Sequence, residues 1–214
     1  MDMYRLKQIA KIAVPILLVV FVGVYIFLNR ASHRAIAGLR PPVQTETTGH
    51  KNVTIDDNNV LITFKYEYEI DALVVHTNRH HGFGIADQLS PIDVALAWGD
   101  VAEYNDRINF HWSQRGRFVY WKINDGADLA LIGDVATVNR QLSNNHLIPA
   151  NPDIRKQIKR ILPGDHIKLK GYLVDIDAFG KDGASFWWYT STIRSDTGDG
   201  SCEIIYVTEV EQLP

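Results

Sequence analysis

The stretch V-L-I-T-F-K-Y-E-Y-E-I, residues 60–70, decides the fold. Val60, Ile62, Phe64, Tyr66, Tyr68 and Ile70 alternate with Thr63, Lys65, Glu67 and Glu69. A period of two over that length puts one face of a strand in a core and the other in water. Working outward, Ile108-Phe110-Trp112 and Val119-Trp121-Ile123 read as hairpin arms joined across Ser113-Gln114-Arg115-Gly116. Further strands are expected at 166–176, 184–194 and 202–210, and Gly171 in mid-strand reads as the bend at which a barrel closes.

Two short helices are expected between the strands. Ser90-Pro91-Ile92-Asp93 has the order of a cap, a first-turn proline and a carboxylate three residues on, and Gly99 stops the element. Asn151-Pro152 opens a second helix, with Ile154, Ile158, Ile161 and Leu162 as its apolar stripe and Pro163-Gly164 as its end. Residues 127–142 fit helix or strand equally. The expected fold is mainly β with two short helices (α+β): a small, partly open antiparallel barrel or bent sheet, OB-like or SH3-like.

Ile12–Leu28 carries no charge over 17 residues. With Ile9, Ala10 and Lys11 it reaches the ~20 residues needed to cross a hydrocarbon core of about 30 Å. The expectation is one transmembrane helix at 12–28 in contact with a lipid bilayer. A cytoplasmic tail (1–11) would precede it, and a Pro41-Pro42 tether (29–57) and an extracytoplasmic domain (58–214) would follow. Ala35-Ile36-Ala37 offers the competing reading of a cleaved signal peptide, but the apolar run exceeds the usual 7–15 residues.

The chain has 214 residues and a net charge of −3, with 46% hydrophobic residues, which excludes a disordered or collagen-like chain. Of 22 basic and 25 acidic residues, 17 and 24 lie beyond residue 37; the folded part is therefore near −7 and poorly suited to nucleic acid. The one cysteine, Cys202, permits no internal disulfide, so the core must hold the domain.

The strings LSPIDVALAWG (89–99), NNHLIPA (144–150), GDHIKLKGYLV (164–174) and SDTGDGSCE (195–203) resemble uncharacterised single-span, membrane-anchored proteins of Gram-negative bacteria. That resemblance implies a place in the bacterial inner membrane with the carboxyl-terminal domain in the periplasm. It implies no activity and no site residue.

The candidate chemistry is scattered. His76, His80 and His81 are imidazoles that could ligate a metal, although neighbours on a regular element point apart and the spacing matches no zinc motif. Cys202 could act as a nucleophile if His146 folded against it and Asp196 oriented the ring; the alternation Cys202, Ile204, Tyr206 makes a packed core thiol the simpler account. Trp187, Trp188 and Tyr189 are consecutive on one strand, so at least one ring faces away from the core and offers a stacking or docking surface, with Arg79 in the polar loop as a second contact. The leading expectation is an anchored binding or scaffold module of a cell-envelope complex, with a protein partner and no cofactor. An anchored hydrolase or thiol enzyme and a metal-binding protein are the alternatives.

Overall fold

The computed structural model describes residues 3–181, 183–193 and 201–214. A helix α1 (Met3–Ser32) leads into strands β1 (Val43–Glu46), β2 (His50–Ile55) and β3 (Asn58–Arg79). Helix α2 (Ile85–Leu89), strand β4 (Ile92–Ala97) and helix α3 (Gly99–Glu103) come next, then a hairpin of β5 (Ser113–Arg115) and β6 (Phe118–Tyr120). After a 3-10 turn at Gly126–Leu131 the order is α4 (Val135–Arg140), β7 (Leu142–Pro149), α5 (Pro152–Ile158), β8 (His166–Gly180), β9 (Ser185–Trp188) and β10 (Glu203–Leu213).

The molecule is mainly β, and its large sheet curls into a partial ring. Pairing runs β3–β4–β7–β10–β8, and β8 pairs back onto β3. All these pairs are antiparallel except β7 with β10. Strands β1 and β2 lengthen the sheet along β3, and β9 lengthens it along β8.

The period-two pattern of 60–70 is the middle of a strand of 22 residues. A bulge between Phe64 and Tyr66 bends it, so that one strand serves two cores. Val60 and Ile62 pack with Val174, Ile176 and Ile204. Tyr68, Ile70 and Leu73 pack with Leu96, Leu147, Ile167 and Leu169. Gly171 lies where the ring tightens: a Cβ there would fall 2.0 Å from the Tyr206 carbonyl oxygen, a separation no side chain tolerates.

Helix α5 follows from its sequence directly. The Asn151 side chain accepts hydrogen bonds from the Asp153 and Ile154 amides at 3.0 Å, and Pro152 needs no amide partner in the first turn. Ile154, Ile158 and Ile161 are buried where the helix crosses β7 and β10. Each contributes about 1.5–3 kcal/mol by leaving water.

Several expectations are corrected. Among the described residues no helix is long and apolar enough to cross a membrane. That overturns the single-pass transmembrane anchor, the bilayer contact through 12–28, and the inner-membrane placement with a periplasmic domain.

The helix expected at 90–99 is instead strand β4. Ile92–Ala97 is buried on both faces between β3 and β7, and a continuous apolar run of six suits a two-sided strand. The Ser90 hydroxyl donates to the Ile92 carbonyl rather than capping a helix. The stretch 29–57, expected as a tether, carries β1 and β2, both laddered to β3. The hairpin turn falls at Gly116-Arg117, because Ser113–Arg115 is itself ladder.

Candidate functional site: a carboxylate-centred cluster over strands β4 and β7

Asp93 is the one charged side chain of β4, and it is wholly buried. Its cross-strand partner on β7 is His146, and Ala95 is paired with Asn144, so Asp93, His146 and Asn144 share one face. The loop after β3 brings His80, α2 brings Asp87, the hairpin tip brings Arg117, and β9 brings Trp188.

These groups converge on the Asp93 carboxylate. His80 Nε2 lies 2.8 Å from Oδ2, and Arg117 Nη1 donates to Oδ1 at 2.9 Å. Ser90 Oγ donates to Oδ1 at 3.4 Å. His146 Nδ1 is 2.8 Å from Oδ1, in contact with it but off the line that a hydrogen bond requires. The second guanidinium nitrogen of Arg117 donates to Asp87, and to the Ser90 carbonyl at 3.3 Å.

The Trp188 ring closes the cluster, with its centroid 4.4 Å from that of His146 and 5.1 Å from the Arg117 guanidinium carbon. Asp87 sits so close to the loop backbone that a Cβ on Gly82 would meet its Oδ2 at 2.0 Å. Gly116 and Arg117 at the hairpin tip have φ of 58° and 69°. Arg117 therefore holds a left-handed conformation that costs a residue with a Cβ about 1–2 kcal/mol.

Burial pushes the Asp93 carboxyl up, but His146, His80 and Arg117 outweigh it and hold the group down at about 2. Burial lowers His146, which the Asp93 charge only partly offsets, so its imidazole is kept neutral. Arg117 is then the guanidinium that faces two carboxylates.

A second chain of amides runs beside the cluster. His76 Nδ1 is 3.0 Å from Gln114 Oε1, and Gln114 Nε2 donates to Asn144 Oδ1. Asn144 Nδ2 donates to the Arg117 carbonyl at 2.8 Å and touches Cys202 Sγ at 3.5 Å, while the thiol points at the same carbonyl at 3.7 Å.

The structure thus gathers His80, His146 and Trp188 into one site and places Cys202 behind Asn144. Asp196 lies outside the described residues. The three loop histidines go separate ways: His76 to Gln114, His80 to Asp93, and His81 to the exposed surface. Among the described residues no group of three or more His, Cys, Asp or Glu could hold a metal ion.

Arg79 lies apart, donating to the Lys159 and Ile161 carbonyls at 3.0 and 3.1 Å. Trp187 and Tyr189 are exposed, and the Tyr189 hydroxyl donates to Asp177 at 3.0 Å. Sequence reasoning missed Asp93, Asp87 and Arg117 as site residues. The available signal was a lone carboxylate inside the apolar run Ile92–Ala97, a place where a charge survives only with partners.

No family model, curated protein or solved structure matches the chain.

Proposed function

We propose that the chain is a protein-binding module on an OB-type barrel. The five ring strands, in chain order β3, β4, β7, β8 and β10, form a partly open Greek-key ring with α5 crossing between its third and fourth members. In that architecture the face of the second and third strands, with the loops after the first and fourth, is the usual ligand surface. Here those parts are β4, β7, the 80–91 loop and the connection that carries β9.

The observation that carries the reading is the aromatic surface of β8 and β9. Trp187 is 65% exposed, Phe179 58% and Tyr189 54%. Asp177 pairs with Trp187 and Phe179 pairs with Ser185, so these side chains share one face. Large exposed aromatic rings on a rigid strand are the anchors that protein interfaces use. Among the described residues β9 is terminal in the sheet order and bonded to β8, which leaves an edge for a partner chain. The groups able to do chemistry are engaged elsewhere, His146 at 2% exposure against Asp93 and the Cys202 thiol against a carbonyl, which favours binding over catalysis.

The test is site-specific photocrosslinking in the native host, with the crosslinker at residue 185 beside Trp187. A discrete protein adduct that Trp187→Ala and Tyr189→Ala each reduce at least tenfold, and that Lys156→Ala on α5 leaves intact, is the expected result. Recovery of uncrosslinked monomer alone would sink the proposal.

A further inference from the structure

We infer that the cavity between Arg79, His76, His111 and Trp112 binds a small organic anion: a flat aromatic acid whose carboxylate or phosphate meets Arg79 and whose ring lies along Trp112. The inference is independent of the interface on β8 and β9. This cavity adjoins Leu162-Pro163 ahead of β8, whereas β9 pairs with the last residues of β8.

The cavity is open and of ligand size, about 520 Å³. It forms where β3 outruns its partner. The ladder to β8 ends at Leu73 with His166, and from His76 to Arg79 β3 is laddered to β4 alone. The His80 amide donates to the Pro91 carbonyl beside β4. By antiparallel alternation Thr77 and Arg79 therefore turn their backbone groups away from β4. Another wall comes from the end of α1 and the segment 110–112, and Asn105 fixes both. This fully buried side chain donates to the Ser32 and Arg34 carbonyls at 2.6 and 2.9 Å and accepts from Trp112 Nε1 at 2.9 Å. Phe110 stacks on Trp112 with centroids 4.4 Å apart.

The lining sorts into two kinds of group. Trp112, Leu162 and Pro163 are apolar, whereas His33, His76, His111 and Arg79 are cationic or imidazole, and no carboxylate lines the cavity in a chain of net charge −3. Arg79 spends only Nη2 on the Lys159 and Ile161 carbonyls. Among the described residues it meets no carboxylate, which leaves Nη1 and Nε for the planar oxyanion that a guanidinium fork matches. Gln114 gives its amide to Asn144, so its Oε1 accepts from His76 Nδ1 at 3.0 Å and holds that ring while Nε2 stays uncommitted. Among the described residues no group of three His, Cys, Asp or Glu could hold a metal ion, so the imidazoles act as separate groups round the rim. The aromatic pair beside them favours a flat ring over an aliphatic chain.

The experiment is calorimetric titration of the full chain, freed of metal with EDTA. The probes are 2-naphthoate and 2-naphthyl phosphate, against 2-naphthamide and 2-naphthylmethylammonium. The expected result is one site per chain for at least one of the two anions, bound about tenfold or more tighter than the amide and the ammonium. Arg79→Gln keeps an amide donor for the two carbonyls and should weaken the anion by about tenfold. His111→Ala, at an exposed residue, should weaken it by about threefold, and Lys181→Ala, outside the cavity, should leave it unchanged.

Preference for one anion over the other supports the site and assigns its head group. Should Arg79→Gln not fold, His111→Ala and the charge-matched probes still decide. Equal binding of anion and amide, binding indifferent to both variants, or no binding of either anion at millimolar concentration would overturn the inference.

Discussion

Asp93 and His146 are direct cross-strand partners on β4 and β7, one held charged at about 2 and the other kept neutral by burial. The pair makes the fold acid-sensitive in two separate windows. Asp93 is depressed in the folded state, so its contribution is complete above the unfolded value near 4 and is lost as pH falls through about 2. His146 is also lowered, so below an unfolded value near 6.5 the unfolded chain takes up a proton that the fold refuses. Stability should therefore begin to fall from pH 6.5 downward, by at most ~1.4 kcal/mol per unit for this one proton. Urea midpoints at pH 7.5 and 5.5 would show it, and His146→Gln should shrink the difference. An unchanged difference in that variant would remove His146 as the cause.

Removing the carboxylate should be far more damaging than its protonation window suggests. Asp93→Ala leaves the Arg117 charge with Asp87, the His80 ring without its partner and His146 without the carboxylate beside it. Breaking a buried pair in this way costs about 3–5 kcal/mol. Chemical denaturation at pH 7.5 measures it, and a loss under 1 kcal/mol would mean that the cluster is not stabilising.

Gly171 should tolerate no side chain. Its missing Cβ leaves room for the Tyr206 carbonyl, which would otherwise lie 2.0 Å away, and the backbone there is laddered to β3 on one side and β10 on the other. Gly171→Ala should lower stability by about 3 kcal/mol or more through overpacking. Gly126→Ala, where a Cβ meets nothing within 4 Å, is the matched control and should stay within about 1 kcal/mol of the parent.

The sequence carried these features unequally. Residues 60–70 announced their strand because one face is wet and the other dry, and Asn151-Pro152 announced α5 because capping is local chemistry. Residues 92–97 misled because a strand buried on both faces loses the alternation that marks it, while Ser90-Pro91 imitates a helix start. The site stayed hidden for a different reason. Asp87, Asp93, Arg117, His146 and Trp188 come from five separate elements, and only the ring, with β7 beside β4 and β9 returning along β8, brings them into contact. Arg117 gave no local sign, since a glycine-arginine turn reads as an ordinary polar link.

The adjacent tryptophans of β9 should respond oppositely to the same change. Trp188 packs on His146 and Arg117, so Trp188→Ala opens the wall of a buried charge cluster. The cost is about 2–4 kcal/mol, combining lost ring contact with water reaching Asp93. Trp187 is 65% exposed on the other face of the strand, and Trp187→Ala should move stability by no more than about 0.5 kcal/mol. Any binding defect in the Trp187 variant is then a surface effect, whereas one in the Trp188 variant has to be separated from unfolding. Parallel urea melts of the two variants make that separation, and equal losses would mean that the two rings do not face opposite sides of β9.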